Sequence, residues 1–433
     1  MLLKDLLVDV PGVLETKGDM EVRIDALITD SREKTSGGLF FCISGARFDA
    51  HTFVGQAEKN GCVAFVVERI LDADVPQVKV ENVRSAMAYI AAAFYGHPEK
   101  EIRMVGVCGT KGKTTTSYLM KAILEKAGFK TGLIGTTGNM IGEKRLHSNL
   151  TTPDPIDLHR CLRQMRDEGV EVVSMEVSAH AVAMHRLDGV TFEAACYTNL
   201  SQDHLDYFGT MENYFETKKS FFMHGQVLNA ALNADDETSD KIIKDIKVPY
   251  LTFGISSDAD VFARDIEISE DGVSFSILLR GLEEMPVHMH LTGMFNVYNA
   301  LAAASLAMIL GIDQQAIREG LESVVNVPGR VEMLDTKTPY KVILDYSHSP
   351  DALENILTTV RTFTRSRLIV LFGCGGGKRL YAWKADLPLW MRGRPGPHQA
   401  AEDGQNCRHL GGLCHPHLRQ PPHRGSQRHS GLY

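Results

Sequence analysis

A chain of 433 residues is too long for one ordinary core and implies about three domains. Its 44% hydrophobic and 23% charged content excludes disorder throughout, and no apolar run nears the ~18–20 residues of a membrane span. A net charge of −8 argues against a nucleic-acid-coating protein, and eight cysteines without close pairing through the body indicate reduced thiols and a cytoplasmic setting.

The opening MLLKDLLVDVPGVLE mixes Lys4, Asp5, Asp9 and Glu15 among its apolar residues, unlike a secretory signal. Alternation in LFFCISG (39–45) and the apolar run CVAFVVE (62–68) predict strands. SAMAYIAAAFYGHP (85–98) has helical spacing closed by Gly96 and Pro98, so a small α/β unit ends near Glu101. IRMVGVCG (102–109) then predicts a short strand, and TTTSYLMKAILEKAG a helix stopped by Gly128. Further strands are predicted at TGLIGTTG (131–138), VEVVSMEVS (170–178) and FEAACYTNL (192–200). Strands alternating with helices make this an α/β chain with a parallel sheet covered on both faces.

Between Asp258 and Met294 the period changes to 2 in VSFSILLRG and VHMHLTG, predicting a hairpin appended to the sheet. NVYNALAAASLAMILG predicts the helix that follows. After Pro328–Arg330, the segments KVILDYSH, DALENILTTVRTFT and RLIVLFGCGGG predict one βαβ unit, about a third of a doubly wound domain. There the pattern stops. Residues 378–433 hold nine Lys/Arg against three Asp/Glu, so they carry +6 and leave −14 on the rest. They also hold both tryptophans and six of the seventeen histidines, with no period of 2 or 3.6. The expected division is therefore 1–101, 102–333, 334–377 and a low-order tail at 378–433.

The sharpest motif is Gly109-Thr110-Lys111-Gly112-Lys113-Thr114-Thr115 between a strand and a helix. Glycines let backbone N–H groups turn inward onto phosphate oxygens, and the helix N-terminus adds partial positive charge. Lys113 would reach the β/γ-phosphates of a nucleoside triphosphate and the Thr114 hydroxyl would sit on Mg²⁺. The first position of G-x-x-x-x-G-K-[ST] is Val107, a departure from the pattern. The bland alternative is a helix start merely capped by Gly and Thr.

Five other segments narrow the reading: Asp30-Ser31-Arg32, Asn149-Leu-Thr-Thr-Pro-Asp154, Met175-Glu-Val-Ser-Ala-His180, Thr198-Asn-Leu-Ser-Gln-Asp-His-Leu-Asp206 and Asp345-Tyr-Ser-His-Ser-Pro-Asp351. Together they closely resemble the Mur ligase family, from Met1 to about Gly376. Within it, MEVSAH and TNLSQDHLD resemble the members that add the third residue of the peptidoglycan stem peptide. The resemblance implies a three-domain architecture: an N-terminal α/β domain for UDP-muramoyl substrate, a central P-loop parallel sheet, and a Rossmann-like C-terminal domain, here incomplete. It implies an ATP-dependent, ADP-forming amide ligase acting on UDP-MurNAc-L-Ala-D-Glu and a diamino acid, meso-diaminopimelate or L-lysine. A monomer without nucleic-acid or membrane partners is expected.

A carboxylate must be phosphorylated before it can acylate an amine, so cations have to stand between two anions. Glu176 closes an apolar strand where open α/β sheets bind ligands, and a carboxylate there suits Mg²⁺; the lesser alternative is a strand-end acid paired with a surface lysine. For His204 a satisfied structural histidine competes with a metal ligand; the resemblance implies a second Mg²⁺, with Asp203 or Asp206 orienting the ring. Residues alone favour two solvated lysines at Lys218-Lys219. The resemblance instead implies a CO₂-derived carbamate on Lys218, with Lys219 the less favoured carrier. It makes Lys113, Glu176, His204 and Lys218 catalytic, and Thr114, Glu176, His204 and Lys218 the metal set. Substrate contacts implied are Ser31, Asn149, Thr151, Thr152, Ser178 and Arg186, with Met184 where the family often has a hydrogen-bonding side chain. Asn296, Asn299, Arg330 and Asp345 fall on the ATP side, Asp345 toward the ribose.

The resemblance breaks after Gly373-Cys-Gly-Gly376, where family members continue into an acidic, arginine-containing segment and later an Asp-Asn-Pro-Arg motif absent here. The compositional seam coincides, and a shifted reading frame is the expected cause of both. Cys407, Cys414, His415 and His417 match no structural zinc spacing. The expectation is a chain that binds UDP-muramoyl-dipeptide and ATP but ligates poorly; a non-catalytic binder is the alternative. A simple P-loop kinase or GTPase would need neither the first domain nor DYSHSPDAL.

Overall fold

The computed structural model describes residues 1–45, 48–146, 148, 150–256, 258–279, 283–347, 350–364, 366–373 and 380–384. Five short strands open the chain: β1 (Val13–Lys17), β2 (Ala26–Ile28), β3 (Gly38–Phe41), β4 (Cys62–Val67) and β5 (Gln77–Val80). They form one sheet in the order β1-β5-β4-β3-β2, parallel except for β1 against β5. The apolar run of β4 is explained by its central place, with both faces covered. The predicted helix runs Val83–Phe94 and starts two residues early, because Asn82 accepts from the backbone N–H of Arg84 and Ser85.

The central sheet contains β6 (Arg103–Cys108), β7 (Thr131–Ile134), β8 (Asn139–Ile141), β9 (Lys144–Leu146), β10 (Val172–Val177), β11 (Ala194–Tyr197), β12 (Ala230–Asn233), β13 (Tyr250–Gly254), β14 (Val261–Ser269), β15 (Gly272–Leu279) and β16 (Met285–Met289). Their order is β16-β15-β14-β13-β12-β11-β6-β10-β7-β8-β9. The run from β7 to β14 is parallel, and both flanks are antiparallel. The segment expected to be a two-stranded hairpin is thus a three-stranded meander, β14 to β16.

Period-2 alternation divides the core. Val105 and Val107 of β6 face a cluster under the Lys113–Lys126, Met294–Ile309 and Gln314–Ser323 helices. Met104 and Cys108 face another, under Pro155–Asp167 and Met211–Met223. The Lys113–Lys126 and Gln314–Ser323 helices approach so closely that a Cβ on Gly320 would lie 2.4 Å from Ile123 Cα, a backbone atom that cannot give way alone. Gly320→Ala is therefore expected to cost about 1–3 kcal/mol by overpacking. Urea unfolding checks this: the midpoint falls while the slope stays that of the parent chain.

Two antiparallel pairs follow: β17 (Glu332–Leu334) with β18 (Val342–Leu344), and β19 (Ile369–Gly373) with β20 (Leu380–Lys384). The predicted helix is Pro350–Phe363. The expected strand–helix–strand order is present in the chain, and each of the two strands has a local antiparallel partner. By compactness, residues 1–346 form one unit and 347–433 another. The tail cysteines and histidines, and residues 385–433 generally, lie outside the described residues.

Candidate active site

β6 ends at Cys108 and the chain turns through Gly109 into the Lys113–Lys126 helix. Val107 departs from the phosphate-loop pattern because it is still strand, buried and paired with Glu176 and Cys196. The turn is made by Gly109, at φ +145°, where a Cβ would come within 1.9 Å of Thr198 Oγ1. The loop is held from outside by the end of β11. Thr110 N donates to Asn199 O (2.8 Å), Lys111 N to Asn199 Oδ1 (2.9 Å), and Thr198 Oγ1 to Lys111 O (2.7 Å). Ser201 N donates to Thr110 Oγ1 (3.1 Å). The TNLS stretch, read from sequence only as a family marker, is thus the brace of the phosphate loop.

Two lysines, Lys218 buried and Lys113 half-buried, converge on this loop. Lys113 Nζ donates to Gly109 O and Thr110 O, each at 3.0 Å, and Lys218 Nζ donates to Gly109 O at 2.7 Å. Lys218 comes from the Met211–Met223 helix and lies over the Tyr214 ring, 4.5 Å from its centroid. Burial pushes the Lys218 ammonium down to about 7, with the Lys113 charge acting in the same direction and Cys108 and Asp203 opposing. Burial lowers Lys113 too, opposed by Glu176, Cys108 and Asp203. Lys219 differs sharply. It is ion-paired to Asp245 at 2.5 Å, which raises its pKa.

Glu176, near the end of β10, is buried and accepts from Thr136 N (2.8 Å) and Thr136 Oγ1 (3.1 Å), not from a surface lysine. His204 starts a four-residue helix at φ +52°, its N–H on Asp203 Oδ1 at 3.0 Å. Burial lowers its pKa, with Asp203 the largest opposing charge and Lys113 and Lys218 adding to the lowering. His180 packs edge to face on it at 4.7 Å and is likewise lowered, by burial first and then by His204 and Arg186. Lys113, Glu176, His204 and Lys218 therefore share one electrostatic neighbourhood, with Asp203 among them.

On the opposite wall of the loop, Asn296 Nδ2 donates to Thr292 O (2.9 Å) and Asn299 Nδ2 to Asn296 Oδ1 (2.9 Å), while Thr116 Oγ1 donates to Asn299 Oδ1 at 3.4 Å. Thr114 and Thr115 are buried in the first helical turn. Arg330 donates to Thr114 Oγ1 (3.1 Å) and stacks on Tyr346 at 5.2 Å, and Asp345 accepts from Val331 N at 2.8 Å.

The expected substrate residues separate. Thr152 Oγ1 donates to Glu176 O (2.8 Å) and accepts from Ser178 N (3.1 Å), tying that loop to the strand end. Ser178 Oγ caps the next helix by accepting from Ala181 N at 3.2 Å. Thr151 Oγ1 meets Thr136 Oγ1 at 3.0 Å. Arg186 donates to Thr152 O (2.8 Å), is ion-paired with Asp154 at 2.8 Å, and contacts Met184 Sδ at 3.4 Å. Ser31 belongs to the N-terminal sheet and donates to Gln56 Oε1 at 3.1 Å. Asn149 lies outside the described residues.

Among the described residues no group of three or more His, Cys, Asp or Glu forms a ready metal cage. The donors fit a Mg²⁺ carried largely by phosphate oxygens and water, with one or two protein carboxylates or hydroxyls, the usual manner for that ion. No helix among the described residues is long and apolar enough to cross a membrane.

Comparison with known proteins gives a consistent picture. Residues 23–95, 107–307 and 329–387 match the models described as Mur ligase family, catalytic domain; Mur ligase middle domain; and Mur ligase, glutamate ligase domain. The last match runs past Gly376, so the family likeness extends further than the sequence motifs indicated. A UDP-N-acetylmuramoyl-L-alanyl-D-glutamate–2,6-diaminopimelate ligase of Bacillus licheniformis is 40% identical, covering 87% of this chain and 79% of the relative. The enzyme of that name in Geobacillus thermodenitrificans is 43% identical, at 87% and 78% coverage. A solved structure of a ligase with the same name superposes with TM-score 0.74 at 28% identity, covering 88% of this chain and 78% of that one.

Proposed function

This chain belongs to the Mur ligase family, and from that premise we propose that it joins a diamino acid, meso-diaminopimelate, to UDP-N-acetylmuramoyl-L-alanyl-D-glutamate. Ligases of the family are ATP-dependent and ADP-forming and serve peptidoglycan synthesis. The observation that carries the reading is the pair of lysines on one phosphate loop, Lys218 buried and Lys113 half-buried, with Glu176 and His204 in their field. A site that must hold a carboxylate against a triphosphate needs such a density of cationic and metal-binding groups. The choice of diaminopimelate follows from the relatives' names.

In this reading a substrate carboxylate oxygen attacks the γ-phosphorus and ADP leaves; the amino group then attacks the acyl phosphate and phosphate leaves. Lys113 turns its ammonium from the loop carbonyls to the β/γ-phosphates. Thr114, Glu176 and His204 would hold Mg²⁺, which when bound neutralises phosphate charge. Lys218, whose neutral amine becomes available as pH passes about 7, adds CO₂: the Nζ–C bond forms, a C–O π pair moves onto oxygen, and the nitrogen loses a proton. The carbamate anion then offers an oxygen donor where a buried ammonium stood. Arg186 exchanges Asp154 for a substrate carboxylate, a match for its planar fork. Asn296, Asn299, Arg330 and Asp345 form the nucleotide wall, and Ser31 the uridine side.

The test is phosphate release by the purified full chain with ATP and Mg²⁺. Slow release that requires both the muramoyl dipeptide and diaminopimelate is expected, because the C-terminal domain is incomplete. Binding of dipeptide and nucleotide without release would instead establish the non-catalytic binder.

A further inference from the structure

His180 packs against His204 on the strand-end side of the phosphate loop. It lies on the short Ala179–Ala183 helix, beyond the cap Ser178, and its imidazole is half-buried. Three rings of the 204–208 turn surround it: His204 at 4.7 Å and nearly perpendicular, Tyr207 at 4.5 Å, and Phe208 at 5.2 Å. Phe208 continues the contact to Tyr214 at 5.1 Å, which carries Lys218 Nζ over its ring and accepts from Thr110 Oγ1 at 3.3 Å. One aromatic cluster therefore connects His204 to the phosphate loop and to Lys218.

His204 needs such a support. Its backbone is at φ +52°, a conformation disfavoured for a residue with a Cβ. Its side chain is 46% exposed, and Asp203 Oδ2 lies 3.8 Å from Nε2, beyond hydrogen-bond distance. Among the described residues no hydrogen bond holds either ring nitrogen. What limits the ring is packing: the edge-to-face wall of His180 on one side and the more distant Tyr214 ring, at 6.2 Å, on another.

We propose that His180 is a positioning residue whose ring fixes the rotamer of His204 and so pre-orients the His204 imidazole toward a divalent cation at the phosphate loop. This rests on the reading of His204 as a metal-holding residue. The contribution comes from the shape and quadrupole of the ring, not from a bond by its nitrogens, so another aromatic ring of similar size serves in its place.

The experiment uses Mn²⁺ as the probe, titrated into the full chain with saturating ADP, with free Mn²⁺ read by electron paramagnetic resonance. ADP affinity without metal is measured in parallel. His204→Ala tests the underlying reading and is expected to weaken Mn²⁺ binding. His180→Ala is expected to weaken it about 10- to 100-fold, the usual effect of removing a ligand's support, with metal-free ADP affinity unchanged. His180→Phe is expected to restore it to within about 3-fold of the parent. Parent-like Mn²⁺ binding in His180→Ala, with loss in His204→Ala, overturns the proposal and leaves the reading of His204 standing. Parent-like binding in His204→Ala overturns both. Equal weakening by alanine and phenylalanine at 180 overturns the ring-packing argument. If His180→Ala does not fold, His180→Phe and His180→Gln decide the matter, since glutamine keeps polarity without the ring and is expected to bind as weakly as alanine would.

Discussion

Lys218→Ala is expected to abolish diaminopimelate-dependent phosphate release, a fall on the order of 10³-fold or more in kcat, while metal-free nucleotide affinity stays near that of the parent. Lys218 is buried beside Tyr214 with its Nζ on Gly109 O, so no surface role accounts for it. Lys218→Arg is expected to be equally inactive, because a guanidinium does not give up its proton to add CO₂. The pH dependence follows from the same group. The folded chain holds the Lys218 proton only to about 7, where an unfolded lysine keeps it to near 10.5. The nucleophilic neutral amine is therefore scarce below pH 7 and predominates above it. Carbamate formation, followed by ¹³C resonance with labelled CO₂ at fixed dissolved concentration, should rise with pH through about 7 and then level off. The stability linkage has the same sign: between about 7 and 10.5 the unfolded chain binds the extra proton, so this group's contribution to stability increases with pH. A carbamate signal that persists in Lys218→Ala would place the modification elsewhere, and full activity in that variant would end the reading.

The second large effect is expected at Gly109. An alanine there would carry its Cβ 1.9 Å from Thr198 Oγ1 and 3.1 Å from Asn199 N, at φ +145° where L side chains rarely sit. The loop can relieve this only by leaving the β11 brace, and the carbonyl that both lysines use would move with it. Gly109→Ala should lower nucleotide affinity by about 100-fold or more and cost roughly 2–4 kcal/mol of stability, as expected for steric strain at a special backbone conformation. Titration calorimetry with ADP and thermal unfolding measure the two. Thr198→Ala removes the colliding oxygen, so the double variant should recover part of the stability but little of the affinity, since backbone strain and the lost bond to Lys111 O remain.

The contrast between the two lysines on the Met211–Met223 helix marks what could be read in advance. YFETKK offers two adjacent cations, and residue pattern alone favoured both in solvent. In the fold, successive helical positions point about 100° apart, so Lys218 turns onto the phosphate loop while Lys219 reaches Asp245. Sequence also marked Glu176 and His204 as strand-end groups without saying what faces them. The partners, Thr136 and His180, come from segments distant in the chain or silent in pattern. Ser178 and Thr152 show the reverse: residue types suited to substrate contact are partly engaged in capping and bracing.

Sequence by itself determined the alternation of strands and helices, the glycine turn into a helix, and the chemical types gathered at strand ends. Those depend on local periodicity, backbone freedom and side-chain functionality, which a linear string records. The tertiary structure alone decided that the TNLS segment braces the phosphate loop, that Lys218 is driven toward neutrality, and that β14 joins the predicted hairpin to the parallel sheet as a third meander strand. Desolvation and register arise only when segments far apart in the chain exclude water from one another, so neither is written in any one of them.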